Sequence, residues 1–259
     1  MARELNVTQH NYDNTNKDNP LPSAEHKAVY VREMFSRIAR RYDLMNRLMT
    51  VGRDRAWRRY SVRQLELDPA GSNAVLDAAT GTGDFAFEVL HQQPGARVAG
   101  LDFVPDMLAL AQHKASDTPQ APGRLDLLAG DMLKIPFPDG TFDGVVTGFA
   151  MRNVSDIPAA FAEMARVTRR GGRVACLEIA KPRTPLFRQL FALYFDRVVP
   201  LVGGWITGQP TAYSYLPHSL TGFLTPDEIE DVMRQTGWSG VSHRRLMMGT
   251  VAVHVGTRD

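Results

Sequence analysis

Cysteine is nearly absent: Cys176 is the single one in 259 residues. That excludes an intrachain disulfide and any cysteine-based zinc site, fits a reducing compartment, and leaves no metal site to expect. Long apolar runs are missing too. No stretch reaches the roughly 18 residues a bilayer span needs, and the N-terminus lacks the apolar core of a secretory signal. The excess of positive charge is small, +2 with an isoelectric point near 8.8, too little to argue for nucleic acid, which is not expected as a partner. Internal repeats are absent. What remains is an ordinary globular composition, 44% hydrophobic and 22% charged, able to bury a sizeable core. The expectation is a cytoplasmic protein, soluble or peripheral to the inner face of the membrane.

Residues 1–28, rich in Asn, Asp, His and Pro, have almost no apolar periodicity and read as a disordered tail. From Val29 the pattern becomes helical: Met34, Phe35, Ile38, Ala39 and Tyr42, then Leu44, Met45 and Leu48. Two or three short helices, broken near Gly52, are expected as an N-terminal cap over 29–70. Between Arg32 and Arg63, ten arginines face only Glu33, Asp43 and Asp54, a local charge of +7. A solvated helix face accounts for this, and so does contact with anionic lipid headgroups.

Beyond the linker Pro69–Ser72, strand and helix signals alternate. Ala74–Asp77, Arg97–Asp102, Leu125–Leu128, Asp143–Thr147 and Arg173–Ala180 read as strands, with helices after Asp84, from Pro105 and over Ile157–Val167. A capping box, Thr225 with Glu228, opens a helix over Pro226–Gln235. Val241–Met247 and Thr250–Val255 form a closing hairpin. The pattern predicts an α/β fold, a mostly parallel sheet with helices on both faces and a C-terminal antiparallel hairpin. The broken apolar stretch within 183–222 reads as an inserted lid, and 29–259 as one domain.

The chain is organised around Ala74-Val75-Leu76-Asp77-Ala78-Ala79-Thr80-Gly81-Thr82-Gly83-Asp84, a strand ending in an acid, a glycine turn and a helix start capped by Asp84. Gly81 and Gly83 allow positive φ and close approach of a ligand to the backbone. Gly81 to Ala86 also satisfies G-x-G-x-x-A, with Asp102 about 20 residues on, so the motif alone allows a dinucleotide. Asp77 shifts the balance, since an acid there repels a pyrophosphate and tolerates an ammonium or sulfonium group. Asp102 suits a ribose diol, and Asp131, after the third strand, an adenine amino group. Acids at neighbouring strand ends suit a cofactor without phosphate, S-adenosylmethionine.

At these residues the chain resembles a class I methyltransferase with a Rossmann-like fold. More narrowly, it is similar to the family that C-methylates demethylmenaquinone and, in some members, the ubiquinone precursor 2-polyprenyl-6-methoxybenzoquinol. The resemblance is carried by Val31 to Asn46, with Tyr42-Asp43-Leu44-Met45-Asn46 at its end, and by the glycine turn. It continues in Ile135 to Asp143 with Met151-Arg152-Asn153-Val154, in Gly171 to Pro182, and in Tyr213 to Ser219 and Val251 to Gly256. It implies that Thr82, Asp102, Asp131 and Met132 contact the cofactor. Gly148 stands where some members carry a serine contact, which is not carried over.

The implied reaction is methyl transfer to an electron-rich ring carbon of demethylmenaquinol, giving menaquinol. The alternative is the ubiquinone precursor or another lipid-linked phenol. Such chemistry needs a group to steady a ring oxyanion and one to accept a proton. Arg152, Asn153 and Tyr42 are the candidates, with Asp43 and Asn46 on the same cap. Arg152 pairing with Asp156, and Glu178 with Lys181, are structural alternatives, and His218 and His254 are further bases to consider. Phe187, Leu190, Phe191, Leu193, Tyr194, Phe195, Val198 and Trp205 supply a greasy surface for an isoprenoid tail, on a lid open toward the bilayer. The polyprenylated quinol is the expected partner. The sequence sets no oligomeric state, a dimer included.

Overall fold

The computed structural model describes residues 24–207, 219–220 and 222–259. Its centre is a seven-stranded sheet of order β3-β2-β1-β4-β5-β7-β6. The strands are β1 (Ala74–Ala78), β2 (Arg97–Asp102), β3 (Leu125–Ala129), β4 (Phe142–Gly148), β5 (Thr168–Ile179), β6 (Trp238–Leu246) and β7 (Val251–Arg258). The first five run parallel, and β7 inserts antiparallel between β5 and β6. The order reverses between β1 and β4, and the crevice outside the carboxyl ends of those two strands is where such sheets bind ligands.

Side-chain alternation explains how both faces are covered. Leu76, Val145, Val174 and Cys176 point into one apolar layer with α5 (Ile157–Val167) and α8 (Pro226–Gln235). Their neighbours Val75, Val146, Ala175 and Leu177 point into the other, with α2 (Asp54–Arg63) and α3 (Asp84–Gln92). β1, β4 and the second half of β5 are buried on both sides, so they read as continuous apolar runs, whereas β3 and β6 are partly open to solvent. The capping box at Thr225 forms as the spacing predicts.

Three local expectations are corrected. The cap is two helices broken near Gly52, as expected, but α1 is a long one of 26 residues, Ala24–Met49. It begins inside the stretch expected as a tail, and Lys27 Nζ donates to the Val154 carbonyl at 2.8 Å. Val31, Met34, Ile38 and Met45 give it one continuous buried stripe, while Gly52, at φ 70°, turns the chain into α2. β5 starts at Thr168, ahead of the Gly171-Gly172 pair rather than after it. A Cβ at Gly172 would lie 2.6 Å from Thr168 and 2.7 Å from the Asp143 carbonyl, so the strand passes through this point only as glycine. Asp84 is the first residue of α3 and makes no cap, a place taken by Gly83 at φ 86°.

α4 (Pro105–Ser116) packs against α1 through Met107, Val104 and Ala39. Within the expected lid, α6 (Pro185–Leu193), a π-helical turn (Tyr194–Val198) and α7 (Val199–Thr207) form one apolar strap. Phe195 and Val199 of the strap join Val31, Met34 and Met45 of α1 in a separate cluster above the sheet. No helix among the described residues is long and apolar enough to cross a membrane.

Candidate functional site

Two cavities lie at the carboxyl end of the parallel strands, the first above β1, β2 and β4 and the second by the ends of β4 and β5. The first is lined by Gly81, Asp102, Phe103, Asp131, Met132, Gly148 and Asn153. The second, of about 330 Å³, is lined by Met34, Met45, Trp57, Arg152, Phe187 and Phe191, with other apolar residues of α1 and α6. Phe35, Tyr42 and Phe149 line both. A group in one cavity and a group in the other therefore meet across these three rings.

Backbone geometry makes the first cavity. Ala79, at φ 62°, and Gly81, at φ 56°, bend the chain out of β1, and no atom lies within 4 Å of where a Cβ of Gly81 would stand. Asp102 is 6% exposed, and its two oxygens accept from Gly81 N at 2.7 Å and Val104 N at 2.9 Å. Burial pushes its carboxyl up, only partly offset by the backbone donors of Val104, Gly81 and Phe103. A carboxylate offers about four lone-pair sites, so Asp102 keeps capacity toward the cavity after these two bonds. Asp131 is exposed at the rim, where it accepts from Leu133 N at 2.9 Å. Glycine backbone, an acid with spare lone pairs and an acid at the rim fit an adenosyl group without phosphate.

Asp77, Thr82 and Gly83, expected to touch a cofactor, do not line this cavity. Asp77 is 1% exposed, and its Oδ2 accepts from Thr80 Oγ1 at 2.6 Å and from Ala86 N, in the first turn of α3, at 2.9 Å. Burial raises its carboxyl to about 7, against those two hydrogen bonds. Asp77 therefore shapes the glycine turn from behind. Gly83 is kept small by Phe87, 2.8 Å from where a Cβ would stand.

Thr82 Oγ1 donates instead to Asp43 of α1 at 2.6 Å. Lys114 of α4 reaches Asp43 at 3.0 Å, Thr82 at 3.1 Å and Asp84 at 2.5 Å. Arg58 of α2 completes the cluster, on Asp84 at 3.2 Å and Asp54 at 2.5 Å. Burial works against the Asp84 carboxylate, yet Arg58 and Lys114 hold it below its ordinary range. The cap is thus bolted to the glycine turn. Sequence reasoning missed Lys114, which sits in a helix with no motif around it.

Arg152 and Asn153 occupy a short 3-10 turn, Met151–Asn153, after β4. Both reach back to the Phe149 carbonyl, Arg152 NH1 at 2.7 Å and Asn153 Nδ2 at 3.3 Å. Phe149 sits at φ 58°, a conformation that costs a bulky residue about 1–3 kcal/mol and is common at functional sites. Arg152 pairs with Glu178 at 3.4 Å, so neither expected structural pair forms. Asp156 caps α5 through Ala159 N. Tyr42 lines both cavities, beside Asn46 in the second. Burial pushes its phenol up, partly offset by Asn46 and by the Arg152 charge; like any phenol it is a donor at neutral pH.

His254 lies in β7, fully buried beside His243 with ring centroids 5.4 Å apart, and lines neither cavity. Burial lowers it to about 4. Of the expected apolar lid residues, Phe187, Leu190, Phe191, Tyr194 and Phe195 line the second cavity, whereas Leu193, Val198 and Trp205 are exposed. His218 and the Tyr213 to Pro217 stretch lie outside the described residues.

The sequence model of the ubiE/COQ5 methyltransferase family matches residues 23–258. A demethylmenaquinone methyltransferase of Roseiflexus castenholzii is 45% identical over 240 residues, 93% of this chain and 98% of that protein. A ubiquinone/menaquinone biosynthesis C-methyltransferase of Geobacter sp. is 41% identical, covering 90% of this chain and 97% of that one. Among solved structures, an S-adenosylmethionine-dependent methyltransferase of Thermotoga maritima superposes with a TM-score of 0.60 at 16% identity, over 87% of this chain and 100% of that one. That likeness speaks for the fold.

Proposed function

Because the chain belongs to the ubiE/COQ5 methyltransferase family, we propose that it is the S-adenosylmethionine-dependent enzyme that methylates a ring carbon of demethylmenaquinol to give menaquinol. The observation that carries this reading is the pair of cavities meeting at Phe35, Tyr42 and Phe149. One is formed by polar strand ends and suits an adenosyl group. The other is apolar and suits a quinol with a prenyl tail.

Gly81, Asp102, Asp131 and Met132 would hold S-adenosylmethionine, Asp102 on the ribose and Asp131 toward the adenine. Bound there, it supplies an electrophilic sulfonium methyl. The chain's residues do the rest. Phe187, Leu190, Phe191 and Tyr194 seat the prenylated ring and exclude water from it. Tyr42, a phenol protonated at neutral pH, donates to one ring oxygen. Arg152 faces the same cavity and opposes the negative charge that grows on an oxygen as its proton leaves. Asn153 lines the other cavity, so its task is to hold Phe149 and the cofactor side of the wall. The new carbon–carbon bond replaces a ring carbon–hydrogen bond, and that hydrogen leaves as a proton. An oxidised quinone has no such nucleophilic carbon, so the quinol is the substrate.

The mouth of the second cavity is rimmed by exposed apolar residues, Val51, Leu190 and Met247. Arg47 and Arg53 are exposed beside Val51 in the chain. Nine of the ten arginines between Arg32 and Arg63 are exposed, Arg58 being the buried one. Apolar side chains flanked by cations favour an anionic bilayer surface, from which a prenylated substrate enters. Deleting the gene is expected to cause demethylmenaquinol to accumulate, with menaquinol restored by the intact gene. A strain that keeps its menaquinol sinks the reading. Failure of the protein to co-sediment with anionic liposomes at low salt removes the membrane contact alone. The relatives that carry the double ubiquinone/menaquinone name support a second reading, methylation of the ubiquinone precursor, and the same quinone profile separates the two.

A further inference from the structure

β5 and β4 run side by side with Leu177 opposite Gly148. Glu178 therefore stands just past the end of β4, next to the turn that carries Arg152. It is fully buried, between Leu177 and Ile179 on its own strand and opposite Ala252 on β7. An acid in such a place is costly unless paired. Its charged partner is Arg152, itself 6% exposed, and the backbone N–H groups of Ile179 and Met151 also bond it.

We propose that Glu178 is a positioning residue for Arg152, holding the guanidinium against the wall of the apolar cavity so that its charge meets the ring oxygen of the quinol. This deepens the proposed function and rests on it. A pair selected for stability closes in a bidentate fork with its remaining atoms satisfied. Here a single contact of 3.4 Å joins the two, and both Glu178 Oε2 and Arg152 Nε are buried with no hydrogen-bond partner among the described residues. Apolar side chains of similar volume stabilise a core at least as well as such a pair, so packing gives no reason for these charges. The cavity does. An anion forming beside Arg152 meets a guanidinium that Glu178 already holds in place.

The charged and titratable groups around this pair are few. Cys176 lies on the same strand, its thiol pushed up by burial and by Glu178. Tyr42 of α1 senses Arg152. Burial raises the Glu178 carboxyl to about 7, partly offset by Arg152. Ionised Glu178 is the state that grips Arg152, so kcat should rise as pH increases through about 7.

The test uses the full chain and a short-tailed demethylmenaquinol, with S-adenosylhomocysteine affinity measured alongside. Glu178→Gln is expected to lower kcat about thirtyfold, to leave S-adenosylhomocysteine affinity within about twofold, and to remove the rise of kcat near neutral pH. The Arg152→Gln/Glu178→Gln double variant should be no slower than Arg152→Gln alone, because the second change acts through the first. Should Glu178→Gln not fold, Glu178→Asp serves, with a moderate loss of kcat and a displaced pH limb expected. Full turnover with an unchanged pH profile in the folded variant overturns the proposal, as do independent, additive losses in the double variant. An inactive wild-type enzyme refutes the proposed function instead, so the two failures are distinct.

Discussion

The two cavities are made of different materials. The first is a product of the sheet: β1, β2 and β4 end together, the backbone turns at Ala79 and Gly81, and Asp102 is held by two main-chain N–H groups. The second is a product of side chains, with α1 on one side and α6 and the π-helical turn on the other, joined through Phe195, Val199 and Met45. Backbone geometry suits a ligand whose shape never changes, such as an adenosyl group. A wall of apolar side chains adapts to a prenylated ring. The two halves meet at Phe35, Tyr42 and Phe149, and one ionic cluster around Lys114 ties them together.

Asp102→Ala should break the first half alone. Gly81 N and Val104 N lose their acceptor and the ribose loses its partner, so S-adenosylhomocysteine affinity should fall about a hundredfold. Calorimetry reads it, and an equal rise in quinol KM would show that the halves are not separate. Lys114→Met probes the tie. Its partners Asp43 and Asp84 are about one-third exposed, as it is itself, so solvent screens the pairs and the effect should be near tenfold. It should fall on cofactor affinity and quinol KM together, and a change in only one would place Lys114 within that half.

Phe191→Ala sharpens the other side. This ring lines the second cavity and stacks on Phe195 with centroids 5.3 Å apart. KM for a long-tailed quinol should rise about fivefold with cofactor affinity unchanged, and steady-state kinetics decides it. The smallest effect concerns pH. Asp77 is raised in the folded protein from 3.8 to about 7, so the folded state holds a proton that the unfolded state has released across that range. Its contribution to stability therefore declines as pH rises from about 4 to about 7. The melting temperature of the cofactor-free protein should fall less over this interval for Asp77→Asn than for the wild type. Parallel curves would show that Asp77 does not titrate there.

The same contrast decides what was legible in the sequence. Strand ends follow from local pattern, so Asp102 and Asp131 could be assigned to the cavity before any coordinates, and the hairpin and the capped helix at Thr225 follow equally. Asp77 was legible as a buried strand-end acid, but not as the acceptor for α3, because the direction of a carboxylate depends on which N–H groups the turn presents. The second half depends on contacts between segments far apart in the chain. Arg152 stands 26 residues from Glu178, and Lys114 stands 71 from Asp43. Nothing in the local spacing of either residue names its partner. The start of α1 is hidden in the sequence because Glu25, His26 and Lys27 carry no apolar stripe, and the bond from Lys27 to Val154 that ties them down is a tertiary one.

The central claim is that a methyl group crosses from the polar cavity to the apolar one. Incubating the purified enzyme with methyl-labelled S-adenosylmethionine and chemically reduced demethylmenaquinol tests it directly. The account predicts labelled menaquinol and S-adenosylhomocysteine in equal amounts, and no label on the oxidised quinone. Cofactor binding with no labelled product from the reduced substrate would contradict it, and so would equal labelling of both redox forms.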